Sequence, residues 1–303
     1  MPPPRGTPNI LEGPGDYDVT SIIHSESYPA IDSRQFDFSG KAIFVTGASR
    51  GLGCAMVLSF VRAGASFIAA GARSDMSHLA KDVATTAEST NREAPKFLAV
   101  NLNVADPKSV EDAAALVERE FGRIDIVINN AGLLGSHGGI TDTDPEEWWN
   151  IMSVNLRGPY LVARSFLPML VKSPNPYIIQ VTSVAAHLLN PTLTAYQTSK
   201  ASLLRFTQLI DAEYGKQGVT AFAIHPGNCP TDMMGGPGGL HDFEKHIFVD
   251  SSDLSADTIA FLTAEKRQWL GGRYINVTWD MPELVAKKDD IVQGDKLKNR
   301  FVF

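Results

Sequence analysis

Short apolar runs and longer helical patterns alternate along the chain from Lys41 onward. The runs at 42–45, 66–70, 96–100, 124–129, 177–182, 219–224 and 273–277 read as seven strands. The fourth has the near-continuous apolar character of a strand covered on both faces. Helical patterns open at Leu52 (Leu52, Ala55, Met56, Leu58, Phe60, Val61) and extend over about 75–91, 107–121, 145–171, 195–214 and 254–263. Asp144 before Pro145, with Glu146 and Glu147 behind them, is a well-formed helix start: an N-cap, a proline at the first helical position, and acids that suit the dipole. Strands that alternate with helices predict an α/β fold, a doubly wound parallel seven-stranded sheet with helices on both faces and right-handed crossovers, in one domain. That domain spans 38–280. Residues 1–37, rich in Pro, Gly, Ser and Asp, read as a flexible start and then an arm on the domain or on a neighbouring subunit. Residues 281–303 read as a charged tail.

The stretch Thr46 to Gly53, T-G-A-S-R-G-L-G, lies between the first strand and the first helix. Glycine permits positive φ and close backbone approach, and the helix N-terminus offers unpaired N–H groups to an anion. The spacing is G-x-x-x-G-x-G. The plain alternative is a tight strand-to-helix turn, but its placement between strand and helix favours a nucleotide phosphate. The 303 residues are 44% hydrophobic and 20% charged, enough for a sizeable core, and the net charge of −7 argues against nucleic acid or an anionic membrane as a general partner. No apolar run reaches the roughly 18 residues of a membrane span. Cys54 and Cys229 have neither C-x-x-C nor zinc spacing, and no His, Asp and Glu set has metal-ligand spacing, so no metal is expected. The opening M-P-P-P-R-G-T-P-N lacks the apolar stretch of a signal peptide. The expected location is cytoplasmic.

Further motifs follow at the strand ends. Asn129-Asn130-Ala131-Gly132 comes after the fourth strand, Ser183 ends the fifth, Tyr196-Gln197-Thr198-Ser199-Lys200 opens the next helix, and Pro226-Gly227 through Thr231 follows the sixth. Together with the glycine turn and Asn155 in Ser153-Val154-Asn155, these resemble the TGxxxGxG, NNAG, YxxxK and PGxxxT motifs of the short-chain dehydrogenase/reductase family. The resemblance runs from about Lys41 to Trp279. The segments S-E-S-Y-P-A-I-D and G-R-Y-I-N-V-T-W-D look like fungal members, many of which serve secondary metabolism. A Rossmann-type fold and a nicotinamide cofactor are implied, with Asn155, Ser183, Tyr196 and Lys200 catalytic.

These residue types suit carbonyl reduction. A free phenol has a pKa of about 10. Lys200 lies one helical turn beyond Tyr196, on the same face, where its ammonium can lower that value. Ser183 would hold the substrate oxygen, Asn155 would hold a water that relays protons to Lys200, and Lys200 would also bind the nicotinamide ribose. Gly47, Ser49, Gly51, Leu52 and Gly53 would cradle the diphosphate, and Asn130, Ala131 and Gly132 would line the cofactor. At the end of the second strand Ala72 stands where an NAD enzyme has an acid, followed by Arg73 and Ser74, with Arg50 in the glycine turn. Two guanidiniums and a hydroxyl suit a 2′-phosphate, which gives NADP(H). The rival reading has Arg73 solvated and Asp75 on the ribose. Asn103 and Val104 replace the family's Asp-Val against adenine. Pro226, Gly227, the backbone of Cys229 and the Thr231 hydroxyl would hold the carboxamide. His137 and His187 lie on loops expected to overhang the pocket, and the glycines at 235, 236, 238 and 239 suggest a mobile lid over 225–252. Trp148 and Trp149 read as packing or subunit contacts, in keeping with the family's homodimers and homotetramers. The expected activity is NADP(H)-dependent reduction of a small-molecule ketone, or oxidation of the matching secondary alcohol. The alternative is a non-redox isomerase, cyclase or dinucleotide-regulated binding protein on the same fold.

Overall fold

The first apolar run becomes β1 (Ala42–Thr46), and all five of its residues are buried. Successive side chains point to opposite faces of a strand. Ile43 and Val45 therefore enter one core, with α1 (Gly51–Arg62) and α7 (Ser252–Ala264), while Phe44 enters the other, with α3 (Pro107–Phe121) and α5 (Gly158–Leu170). Phe44 stacks on Phe166 of α5 with ring centroids 4.4 Å apart. The computed structural model describes residues 12–13, 15–236, 238, 240, 242 and 244–301. Its sheet adds β2 (Phe67–Ala72), β3 (Lys96–Asn101), β4 (Ile126–Asn129), β5 (Tyr177–Val181), β6 (Thr220–His225) and β7 (Tyr274–Asn276). The order is β3-β2-β1-β4-β5-β6-β7 and every neighbouring pair is parallel. The chain winds outward in one direction through β3 and in the other from β4. The crevice beyond the ends of β1 and β4 is thus the switch point at which such sheets bind ligands.

Local signals account for the helix ends. Asp106 caps α3 by accepting the Lys108 N–H at 3.0 Å, Pro107 opens it, and Gly122 at φ +69° ends it. The expected helix over 145–171 is not continuous. It divides into α4 (Pro145–Met152) and α5, joined by a π turn at Ser153–Arg157. Pro159 supplies the reason, because it has no N–H for the carbonyl of Asn155 four residues earlier. The widened turn directs Asn155 inward, where it is fully buried.

Both chain ends depart from a tail-like character. The arm lies on its own domain: Ile23 bridges Trp279, His24 N donates to Thr278 O at 2.7 Å, and Trp279 Nε1 donates to Asp16 O at 2.7 Å. The segment read as a charged tail folds into α8 (Met281–Ala286) and α9 (Lys288–Gln293). Met281, Leu284 and Ile291 are buried, while Lys288, Asp289 and Asp290 face solvent and Glu283 and Lys287 bond to Ser21 and to the Val19 carbonyl of the arm. This is a helical stripe that a composition-based reading passes over. The remaining helices are α2 (Ser77–Ser89) and α6 (Thr194–Tyr214). Among the described residues no helix is long and apolar enough to cross a membrane, and no cluster of His, Cys, Asp and Glu is arranged to hold a metal.

Candidate active site

The glycine turn has no room for side chains. Gly47 sits at φ +67°, where a Cβ would meet the Ala131 backbone at 2.8 Å, and a Cβ on Gly53 would lie 2.3 Å from the Gly47 carbonyl. Asn130 holds the turn from the β4 side, its Nδ2 donating to Thr46 O at 2.9 Å and to Gly47 O at 3.1 Å. Thr46 Oγ1 accepts the N–H groups of Asn130 and Ala131 in return, at 3.0 and 3.1 Å. In front of the turn, at the switch point, opens a cavity of about 410 Å³.

Most of the expected cofactor residues line this cavity: Gly47, Ser49, Arg50, Gly51, Leu52 and Gly53 from the turn, Arg73 and Ser74 beyond β2, Asn103 and Val104 beyond β3, and Asn130, Ala131 and Gly132 beyond β4. Tyr196, Lys200, Pro226 and Thr231 complete that set. Gly227 and Cys229 do not line it. Gly227 shapes the turn behind the wall at φ +83°, and the Cys229 thiol is buried 3.5 Å from the Pro226 carbonyl, which raises its pKa. Asp75 is not on the wall either, because Ser77 takes up its carboxylate through N–H and Oγ contacts of 3.3 and 2.5 Å. Arg73 and Ser74 are both exposed beyond β2. Asn103 Oδ1 already accepts the Ala105 N–H at 3.2 Å, which orients its amide.

At the other end of the cavity, Tyr196 is part-exposed and Lys200 is buried. The Lys200 Nζ donates to Val181 O at 2.8 Å and lies 5.6 Å from the centre of the Tyr196 ring. Burial brings the Lys200 ammonium down to about 8. Burial also raises the Tyr196 phenol above its usual value, and the neighbouring Ser183 hydroxyl offsets this only in part. The expected lowering by Lys200 is not found: burial sets the direction for both groups. Asn155 sits behind this pair. Its Oδ1 accepts Leu133 N at 2.7 Å, and its Nδ2 donates to Leu133 O at 2.8 Å and to Ser199 Oγ at 3.1 Å.

Several contributors carried no sequence signal that was read. Ser199, inside the YxxxK motif, donates to the Tyr196 carbonyl at 2.7 Å, and Thr182 Oγ1 donates to the Lys200 carbonyl at 2.9 Å, so both brace the catalytic turn of α6. Asp232 pairs with Arg50 at 3.2 Å across the cavity mouth. Met233 overlies Gly132, its Cε 3.8 Å from where a Cβ would be. The two loop histidines are engaged elsewhere: His137 Nδ1 is 3.0 Å from Thr192 Oγ1, and His187 Nε2 is 3.9 Å from Asp16 Oδ1, its ring edge-on to Tyr274. Within the 225–252 segment, Gly235 and Gly236 adopt positive φ, and Gly239 lies outside the described residues.

A parallel sheet with a glycine turn and a dinucleotide-sized cavity at its switch point defines a dinucleotide-binding α/β protein. The family model described as short chain dehydrogenase matches residues 41–237, and the chain belongs to that family. It is 67% identical to the short chain dehydrogenase pigC of Monascus ruber over 303 residues, which is 100% of both chains. It is 54% identical to the short chain dehydrogenase tazN of Aspergillus terreus, over 96% of this chain and 63% of that longer protein. Among solved structures, a carveol dehydrogenase from Mycobacterium avium in complex with NAD aligns with a TM-score of 0.71 at 18% identity, covering 80% of this chain and 97% of that one, and shares the fold. Family membership makes the protein an oxidoreductase of the class that uses a nicotinamide dinucleotide and a small-molecule substrate.

Proposed function

We propose that the protein is an NADP(H)-dependent reductase of a ketone or related carbonyl, serving fungal secondary metabolism. One observation carries the reading: the Ser183 hydroxyl lies beside the Tyr196 phenol, and Lys200 lies one helical turn away with its Nζ 5.6 Å from the ring centre. The cavity of about 410 Å³ in front of the glycine turn supports a dinucleotide, with the N-terminus of α1 presenting backbone N–H groups to its diphosphate. When bound, the nicotinamide supplies the hydride. Ser183 donates to the substrate oxygen and stabilises charge as it develops there. Tyr196, its phenol raised by burial, keeps its proton at neutral pH and delivers it to the nascent alkoxide. Lys200, near neutrality at about 8, restores the proton and holds the ribose. Asn155 orients the Leu133 backbone and the α6 turn through Ser199. Arg50, Arg73 and Ser74, with no acid at Ala72, favour a 2′-phosphate over a free ribose hydroxyl.

Exposed Trp149 on α4, Tyr160 on α5 and Leu209 on α6 favour a dimer or tetramer built on these helices. The test is NADPH oxidation by the purified protein over aliphatic, cyclic and aromatic ketones and quinones, run beside NADH. Turnover that prefers NADPH supports the reading. Tight NADPH binding with no oxidation across the panel counts against it and in favour of a non-redox role.

A further inference from the structure

The chain leaves the sheet after β6 and rejoins the domain at α7, and a reciprocal pair of hydrogen bonds ties the two ends of that segment together. Asn228 N donates to Asp250 Oδ2 at 2.7 Å, and Asp250 N donates to Asn228 O at 3.1 Å. The carboxylate also sits against the positive-φ turn. A Cβ on Gly227 would lie 2.9 Å from Asp250 Oδ2 and 3.0 Å from its Cβ, so the glycine and the acid are fitted to each other. The next residue ties the same point to the N-terminal arm and to α7: Ser251 N donates to Ser25 O at 2.8 Å, and Ser251 Oγ caps α7 by accepting Leu254 N at 3.2 Å.

Asp250 is an expensive choice for a purely structural brace. It is 3% exposed, and its Oδ1 has no hydrogen-bond partner of normal geometry among the described residues, although the Ser25 hydroxyl lies beside it. Burial pushes its carboxyl up to about 6. A half-satisfied buried acid costs stability that an apolar residue would not, so its use here points to the turn it holds. We propose that Asp250 is a positioning residue of the cofactor site, which through Asn228 fixes the 226–228 turn at the nicotinamide end. This rests on the reading that the 226–231 segment receives the carboxamide.

The experiment titrates wild type, Asp250→Ala and Asp250→Asn with NADPH and with adenosine 2′,5′-bisphosphate, which lacks the nicotinamide half, and follows melting of each protein. Loss of the clasp is expected to weaken NADPH about tenfold in Asp250→Ala, the scale of one lost hydrogen bond, and to leave the fragment within about twofold. Asp250→Asn keeps an acceptor for Asn228 N–H and is expected to restore NADPH to within about threefold of wild type. A merely structural role would lower the melting temperature without separating the two ligands. NADPH affinity unchanged in Asp250→Ala, equal loss of both ligands, or failure of Asn to rescue would overturn the proposal. If Asp250→Ala does not fold, Asp250→Ser, too short to reach Asn228, replaces it under the same criteria. Wild-type protein that binds fragment and NADPH equally would instead remove the carboxamide reading, and the proposal with it.

Discussion

Replacing Asn155 by alanine separates a bracing role from a water-relay role. The side chain is fully buried and makes three hydrogen bonds, to Leu133 N at 2.7 Å, Leu133 O at 2.8 Å and Ser199 Oγ at 3.1 Å. Alanine would orphan Leu133 N and Leu133 O, while Ser199 Oγ keeps its bond to the Tyr196 carbonyl. An unsatisfied buried group costs about 1–3 kcal/mol, and Leu133 is only part-buried, so about 1 kcal/mol for each partner is appropriate. The sum is about 2 kcal/mol, which in a domain of this size lowers the melting temperature by roughly 4 °C. Asn155→Asp should lose a similar amount, because a carboxylate oxygen would then face the Leu133 carbonyl. Urea unfolding read by fluorescence, alongside thermal melting, measures both variants. An Asn155→Ala protein within about 0.5 kcal/mol of wild type would refute the bracing argument, and a fall in turnover alone would return the residue to a relay role.

Four further outcomes are expected. Reduction should fall above pH about 8 as buried Lys200 loses its proton, and a pH–rate profile of Lys200→Met should lack that limb; a limb that persists assigns it elsewhere. The same shift bears on stability: the folded pKa lies below the unfolded value of about 10.5, so the unfolded chain binds more protons between pH 8 and 10.5, and wild type should gain stability relative to Lys200→Met as pH rises through that window, which urea midpoints at pH 8 and 10 would show. An Ala72→Asp, Arg73→Ala protein should shift the NADPH-to-NADH preference in kcat/KM by at least about tenfold toward NADH, whereas an unchanged ratio would exclude these positions from cofactor choice. Asp125→Ala should destabilise by about 2–3 kcal/mol in chemical denaturation, because Asp125 is fully buried and accepts Ala42 N and Ser173 Oγ, which lose their partner, while the two Arg123 nitrogens it also accepts are exposed enough to turn to water; a loss below about 1 kcal/mol would contradict this.

The seven parallel strands and the cavity position were legible because parallel strands are buried on both faces and therefore read as apolar runs, and because glycine turns mark where backbone must approach a ligand. Gly47 and Gly53 carry that signal in their missing side chains. The π turn was not legible: the apolar pattern runs through 145–171 without interruption, and what breaks the helix is one absent N–H at Pro159 and contacts that Asn155 makes with Leu133 on another element. The helices after Met281 were hidden by charge composition, since only three inward residues anchor them. The direction of the Tyr196 shift depended on how deeply α6 is covered, which no local pattern reports. The Arg50–Asp232 pair joins two loops that meet only in three dimensions.

The central claim is that Tyr196 delivers the proton that completes carbonyl reduction. The most direct measurement is single-turnover NADPH oxidation by wild type and Tyr196→Phe with one accepted carbonyl, at saturating cofactor and substrate. The account predicts unchanged NADPH affinity and a rate lowered by about 10²–10⁴-fold in the mutant. A Tyr196→Phe protein that oxidises NADPH at the wild-type rate would contradict it.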